Sequence, residues 1–287
     1  MYQFADALAR GPVVLDGGLG VELERRGHDL SGGDWSARIL RDDPDALVEL
    51  HADFLAAGAQ VTSTATYQAG DGGLIRAAVD AARAAIEKAG RPAWVVGALG
   101  PYGALLGDLS EFTGTYLDDV SPASLAAVHR PRVAALVDAG ADVIGFETLP
   151  ARAEAEVAAA LLTETGVPGW VSLTTVTTPA GEVLTRRGEP AAEVYAALAA
   201  VPEVVAVGVN CTDPAGVPAA VRVAAASGVP VVVYPNGGQD WTDGTPRGDA
   251  GVAGTAAREW LAAGARGVGG CCGVGPDLLE LIAREVS

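Results

Sequence analysis

All three cysteines of this 287-residue chain directly follow short apolar runs that read as β-strands: Cys211 after one, the neighbours Cys271 and Cys272 after another. Three thiolates form a soft donor set that selects zinc over hard cations. Three protein ligands leave the fourth tetrahedral position open, which marks a catalytic rather than a structural ion. A thiol brought to that position would lose its proton and act as a nucleophile near neutral pH. Side chains of adjacent residues normally diverge, so Gly269, Gly270 and Gly273 would have to supply the backbone freedom that turns both sulfurs toward one ion. The competing reading makes each cysteine a small buried apolar residue. A disulfide fits poorly, because a bridge between sequence neighbours is strained and the third thiol is left over.

Other chemistry-bearing residues also fall just after apolar runs. Asp16 follows Val13–Leu15, where it either caps the next turn or meets a ligand. Glu147 follows Val143–Phe146, and a carboxylate buried there is costly without a cation. A ligand ammonium would supply one, and so would Arg186 or Arg187. The histidines, His28, His51 and His129, form no Ser/His/Asp set; His51 and His129 fall in helical stretches and read as structural. Gly17-Gly18-Leu19-Gly20 is neither a dinucleotide fingerprint nor a phosphate loop.

Eight strand candidates must carry these residues: Val13–Leu15, Gln60–Thr64, Ala93–Ala98, Val143–Phe146, Gly169–Leu173, Val204–Val209, Val229–Tyr234 and Gly267–Gly270. Between them lie helical periods at Pro44–Ala57, Gly73–Ala89, Ser121–Ala139, Arg152–Thr165, Pro190–Ala200, Pro214–Ser227, Gly251–Ala263 and Pro276–Glu285. Eight strand–helix repeats predict an α/β fold, a single (β/α)8 TIM barrel over residues 1–287, against a doubly wound sheet as competitor. A barrel gathers unusual polar residues at the carboxyl ends of its strands, where all of the residues above are found.

Composition agrees. Hydrophobic residues at 49% suffice for one large core, and a formal charge of −17 leaves no basic stripe for nucleic acid. No membrane span or leader is visible, and the unframed cysteines point to a reduced, cytoplasmic setting.

With these residues assembled, the chain resembles the homocysteine S-methyltransferase family, in the bacterial branch that uses S-methylmethionine or S-adenosylmethionine as donor. The resemblance runs nearly end to end. It is carried by Leu15-Asp16-Gly17-Gly18, Trp35-Ser36-Ala37, Thr66-Tyr67-Gln68-Ala69, Gly100-Pro101-Tyr102-Gly103-Ala104, Ser110-Glu111-Phe112 and His129-Arg130-Pro131-Arg132-Val133. Glu147-Thr148-Leu149-Pro150, Val209-Asn210-Cys211, Tyr234-Pro235-Asn236 and Gly269-Gly270-Cys271-Cys272-Gly273 complete it. The resemblance implies a barrel whose zinc is held by Cys211, Cys271 and Cys272, with homocysteine sulfur as fourth ligand. It places Asp16 and Glu147 near the homocysteine amino group, and Tyr67 and Asn210 on the same pocket. The expected reaction moves a sulfonium methyl group onto homocysteine to form methionine. Tyr67, Tyr102, Tyr234 and Trp241 are candidates for an aromatic wall, and Glu111 for a negative charge near the donor. Residues 69–77 look shorter than in relatives, and Leu109 stands where relatives tend to carry glycine. Betaine as donor, or a zinc- or thiol-binding protein without catalysis, are the alternatives.

Overall fold

The computed structural model describes residues 3–30, 35–238, 240–242, 245–247 and 253–286. The β-branched runs form eight strands: β1 (Val13–Val14), β2 (Val61–Ser63), β3 (Trp94–Leu99), β4 (Val143–Leu149), β5 (Gly169–Leu173), β6 (Val204–Asn210), β7 (Val231–Tyr234) and β8 (Ala265–Val268). They pair in parallel in the order β1-β8-β7-β6-β5-β4-β3-β2. Helices separate consecutive strands, so the sheet wraps into the barrel expected and the doubly wound alternative is excluded.

The ends of that order, β1 and β2, meet through one backbone hydrogen bond and through side chains. The Gln60 N–H donates to the Val14 carbonyl at 2.8 Å, and the Gln60 side-chain oxygen accepts from the Val14 N–H at 3.0 Å. Further up the seam the Asp16 carboxylate accepts from the Ser63 N–H at 2.5 Å and from its hydroxyl at 2.8 Å. The barrel is thus stitched shut at the strand end that carries the candidate site.

Strand residues alternate between two apolar layers. Val13, Val61, Val96, Val143, Trp170, Ala206 and Val232 fill the interior. Val95, Ile144, Val171, Val207 and Val233 pack outward under the helices. At the amino end, helix Phe4–Arg10 plugs the barrel, and Phe4 packs on Trp94 and Trp170 with ring centroids 5.6 and 5.5 Å away. At the other end the interior layer runs up to Cys271.

Several boundaries differ from expectation. β4 continues to Leu149 through a register shift at Phe146/Leu149. β8 ends at Val268, because Gly269 and Gly270 leave the ladder to approach β7 and Asp16. The helix expected over Pro214–Ser227 is a 3-10 turn, Pro214–Gly216, followed by Val217–Ala225, where Pro218 has no N–H to continue the first turn. Two antiparallel hairpins were not foreseen, Thr175–Thr177 with Val183–Thr185 and Asp240–Thr242 with Thr245–Arg247. The start of the helix expected at Gly251, and the side chains of Trp35-Ser36-Ala37 and Trp241, lie outside the described residues. Among the described residues, no helix is long and apolar enough to cross a membrane.

His51 is fully buried in helix Pro44–Ala56, and neither ring nitrogen has a hydrogen-bond partner. Burial lowers its pKa from 6.5 to about 4. Between those values the unfolded chain binds the proton and the folded one does not, so stability rises with pH across that window. The contribution of about 3 kcal/mol should be lost progressively on acidification from pH about 6.5 to about 4. Urea unfolding across this range should show a shallower pH slope for His51→Leu than for the parent chain.

Candidate active site

Cys211 directly follows β6 in a left-handed backbone conformation, φ +46°, rare for a side-chain-bearing residue. Its carbonyl accepts from the Thr174 hydroxyl at 3.1 Å, and that hydroxyl accepts from the Arg186 guanidinium at 3.2 Å. Cys271 and Cys272 lie in a loop pinned at both residues: the Cys271 N–H donates to the Pro235 carbonyl, and the Cys272 carbonyl accepts from the Gly237 N–H. Gly273 then turns the chain with φ +82°, which frees the pair to face one point. The three sulfurs lie within 4.8 Å of one another, and Cys211 Sγ is 3.1 Å from Cys271 Sγ. Tetrahedral zinc at about 2.3 Å from each sulfur would set them about 3.8 Å apart, inside the observed spread, so the donor set fits the ion.

The trio shares its protons unevenly. Hydrogen bonds from Cys211 and Cys271 hold Cys272 well below the ordinary thiol range, whereas the bond with Cys271 pushes Cys211 well above it. A soft cation held by all three sulfurs would displace the protons they share.

Above the sulfurs opens a cavity of about 320 Å³. Asp16, Tyr67 and Glu147 line it, as the sequence suggested, together with Tyr234 and Glu111. Asp16 is 5% exposed, and its pKa is raised to about 6 by burial, against the two hydrogen bonds from Ser63. It therefore serves the barrel seam as well as the cavity wall. Glu147 is half-buried and titrates well above the ordinary carboxylate range, first because of burial, then because of the charges of Cys271 and Asp16. Neither arginine considered as its partner pairs with it. Arg186 donates to Thr174, and Arg187 forms an ion pair with Asp118.

Two expected wall residues stand behind the wall instead. Asn210 is fully buried, with its amide consumed by Thr148: its oxygen accepts from the Thr148 N–H and its nitrogen donates to the Thr148 hydroxyl, both at 2.8 Å. The pair braces Thr148 at φ +63°, within the β4 register shift that also contains Glu147. Tyr102 packs on Tyr116 with centroids 5.5 Å apart. The short connection after β2 also has a local explanation. Asp71 caps helix Gly72–Ala89 by accepting from the N–H groups of Gly73 and Leu74, so the chain enters that helix soon after Tyr67.

Sequence reasoning missed the framework that holds two of the βα connections. Arg132, 1% exposed, donates to the carbonyls of Thr66, Tyr67 and Ala69 after β2 and of Gly100 after β3. It also approaches His129 Nδ1 at 3.1 Å, while His129 Nε2 meets Glu154 at 2.7 Å. Glu154 in turn accepts from the Tyr102 N–H and the Tyr116 hydroxyl. Three quoted motifs, containing Tyr67, Tyr102 and Arg132, are one buried network. Only the proximity of two basic residues to a proline within one helical stretch hinted at it.

Fold and site together define a barrel enzyme with a thiol cluster under an acid-lined pocket. Residues 13–286 match the homocysteine S-methyltransferase family, and the chain belongs to it. A homocysteine S-methyltransferase from Escherichia coli (strain K12) is 38% identical over 300 residues, spanning 95% of each chain. A selenocysteine Se-methyltransferase from Brassica oleracea var. italica is 34% identical over 96% of this chain and 89% of its own. The metallated form of the E. coli homocysteine methyltransferase MmuM matches the fold with a TM-score of 0.83 at 37% identity, over 95% of this chain and 96% of that one. The protein is a methyltransferase.

Two outcomes follow from this geometry. Arg132→Lys keeps the charge but loses the planar fork, and the urea midpoint should report a loss of about 3 kcal/mol as buried carbonyls go unpaired. Leu109, 54% exposed, sits at φ +64° beside the cavity. Leu109→Gly should relieve that conformation and raise stability by about 1 kcal/mol in the same assay.

Proposed function

We propose that this protein transfers a methyl group from a sulfonium donor, S-methylmethionine or S-adenosylmethionine, to homocysteine, forming methionine, with zinc held by Cys211, Cys271 and Cys272. The observation that carries this reading is the placement of the sulfur trio beneath a cavity whose charged lining residues are all acidic: Asp16, Glu24, Glu111 and Glu147. Such a pocket favours ligands that bring positive charge. Homocysteine brings an ammonium, and a sulfonium donor brings a second cation.

When bound, zinc supplies a Lewis acid that keeps the acceptor thiol deprotonated near neutral pH. The chain's own residues do the rest. Glu147, without an ion-pair partner among the described residues, accepts the acceptor ammonium, which draws it back to its ionised form. Asp16 adds its charge from the seam side. Tyr67 and Tyr234 close the wall and limit water, and the pinned cysteine loop fixes where the acceptor sulfur sits. The acceptor sulfur attacks the methyl carbon in line: one C–S bond forms while the donor C–S bond breaks, and its electron pair stays on the donor sulfur, which leaves as a neutral thioether. No proton moves at carbon, consistent with a site that has no His-based acid–base pair. Opposite charges cancel on the way to the transition state, so a poorly hydrated pocket lowers the barrier.

The test is methionine formation by reduced, zinc-loaded protein, with S-methylmethionine, S-adenosylmethionine and betaine compared side by side. Turnover with a sulfonium donor and none with betaine is expected. Cys272→Ser should reduce it by at least about a hundredfold, and chelation should abolish it. Turnover with betaine alone would overturn the donor assignment. Zinc binding without turnover would favour the non-catalytic alternative.

A further inference from the structure

The reaction derived above leaves two carboxylates of the cavity unused, the exposed Glu24 and the buried Glu111. Glu111 lies in the 3-10 turn Ser110–Phe112 of the β3 connection, and both it and Phe112 line the cavity. That turn is pressed onto the preceding helix: a Cβ on Gly103 would stand 2.5 Å from the Glu111 nitrogen and 2.7 Å from the Tyr116 ring. Glu111 is 6% exposed, yet its Oε2 has no hydrogen-bond partner. Burial raises its pKa, and the nearby charge of Asp108, also an acid, raises it further. The residue's own backbone N–H gives the carboxylate one hydrogen bond, but a buried carboxylate oxygen left without a donor is costly, and an apolar residue would be more stable there. What the fold leaves unpaired at a ligand cavity is available to a ligand.

The surroundings indicate which one. Tyr67 feels the charges of Cys211, Glu111 and Glu147 together, so the Glu111 carboxylate acts within the same space as the sulfur cluster. The rings of Phe112 and Tyr67 line the same cavity. A lone carboxylate oxygen in a cavity also lined by aromatic rings suits a soft, weakly hydrated cation that donates no hydrogen bonds, since attraction to the charge and to the ring faces needs no directional partner. An ammonium would leave most of its three donors unsatisfied there.

We propose that Glu111 forms a sulfonium subsite that selects a charged methyl donor over its neutral thioether counterpart. The proposal rests on the sulfonium-donor reading above and adds the residue that enforces it. Two consequences are specific to it. The attraction exists before methyl transfer and vanishes with the charge, so it tightens donor binding and eases departure of the neutral thioether. It stabilises the ground state at least as much as the transition state, so its removal raises the donor KM without lowering kcat.

The experiment compares Kd for S-methylmethionine and for methionine, which share the amino-acid moiety and differ at sulfur, in wild type and Glu111→Gln by calorimetry. Wild type should prefer the sulfonium, and Glu111→Gln should reduce that preference by about tenfold. Donor KM should rise in parallel, with homocysteine KM unchanged within about twofold and kcat not reduced. The variant should melt at or above the wild-type temperature, because an unpaired buried charge has been removed, and this confirms folding. Equal weakening of both ligands would show that Glu111 reads the ammonium and would overturn the proposal, as would unchanged binding of both. The binding ratio needs no turnover: a protein that fails to methylate homocysteine yet keeps a Glu111-dependent sulfonium preference would refute the reaction and leave the subsite standing.

Discussion

Three sulfurs within 4.8 Å demand that strands distant in sequence finish at one height. β6 and β8 are separated by β7 in the sheet, and their parallel registers carry Cys211 and the Cys271-Cys272 loop to the same rim. A slip of one residue in either pairing would point a sulfur to the other face of the sheet and scatter the cluster. The interior layer of valines, with Trp170 and Tyr234 bonded through their polar atoms at 3.0 Å, blocks such a slip from below. The pinned loop, the left-handed Cys211 and the glycine turn after Cys272 then orient side chains on a platform the barrel has already set.

Around that cluster the molecule tolerates arrangements that stability alone would remove. Glu147 and Glu111 are carboxylates without cationic partners, Thr148 and Cys211 hold left-handed backbones, and the thiols crowd each other. Their cost is met by hydrogen-bonded networks in the surrounding connections. Arg132, His129 and Glu154 tie the second and third connections into one piece, while Asn210 does the same for the end of β4. Strain is concentrated where ligands bind, and satisfied hydrogen bonding lies immediately outside it.

Much of this was legible in the residue order because barrel architecture is periodic and puts chemistry at predictable places. The eight β-branched runs and the Ala-rich intervals sufficed for the barrel, and the odd location of every cysteine sufficed for the cluster. Asp16 and Glu147 stood out because each closes an apolar run, and Tyr67 through the family resemblance. What stayed hidden depends on contacts across long separations. Asn210 has the residue type and position of a pocket residue, and only its partner Thr148, 62 positions away, turns it inward. Arg132 reads as a surface arginine until the carbonyls of two other connections are seen around it. Leu109 stood out only as a leucine where relatives tend to carry glycine, because its left-handed backbone is not written in residue type.

The seam between β1 and β2 gives the barrel an unusual property. The other neighbouring strands are joined by backbone ladders, whereas this seam has one backbone bond, from Gln60 to Val14, and at the rim relies on the Asp16 side chain, which also faces the cavity. Whatever alters the charge or hydrogen bonding of Asp16 from the cavity side therefore acts on the closure of the barrel, and opening of the seam acts equally on affinity at the cavity. Occupancy and circumference become linked variables.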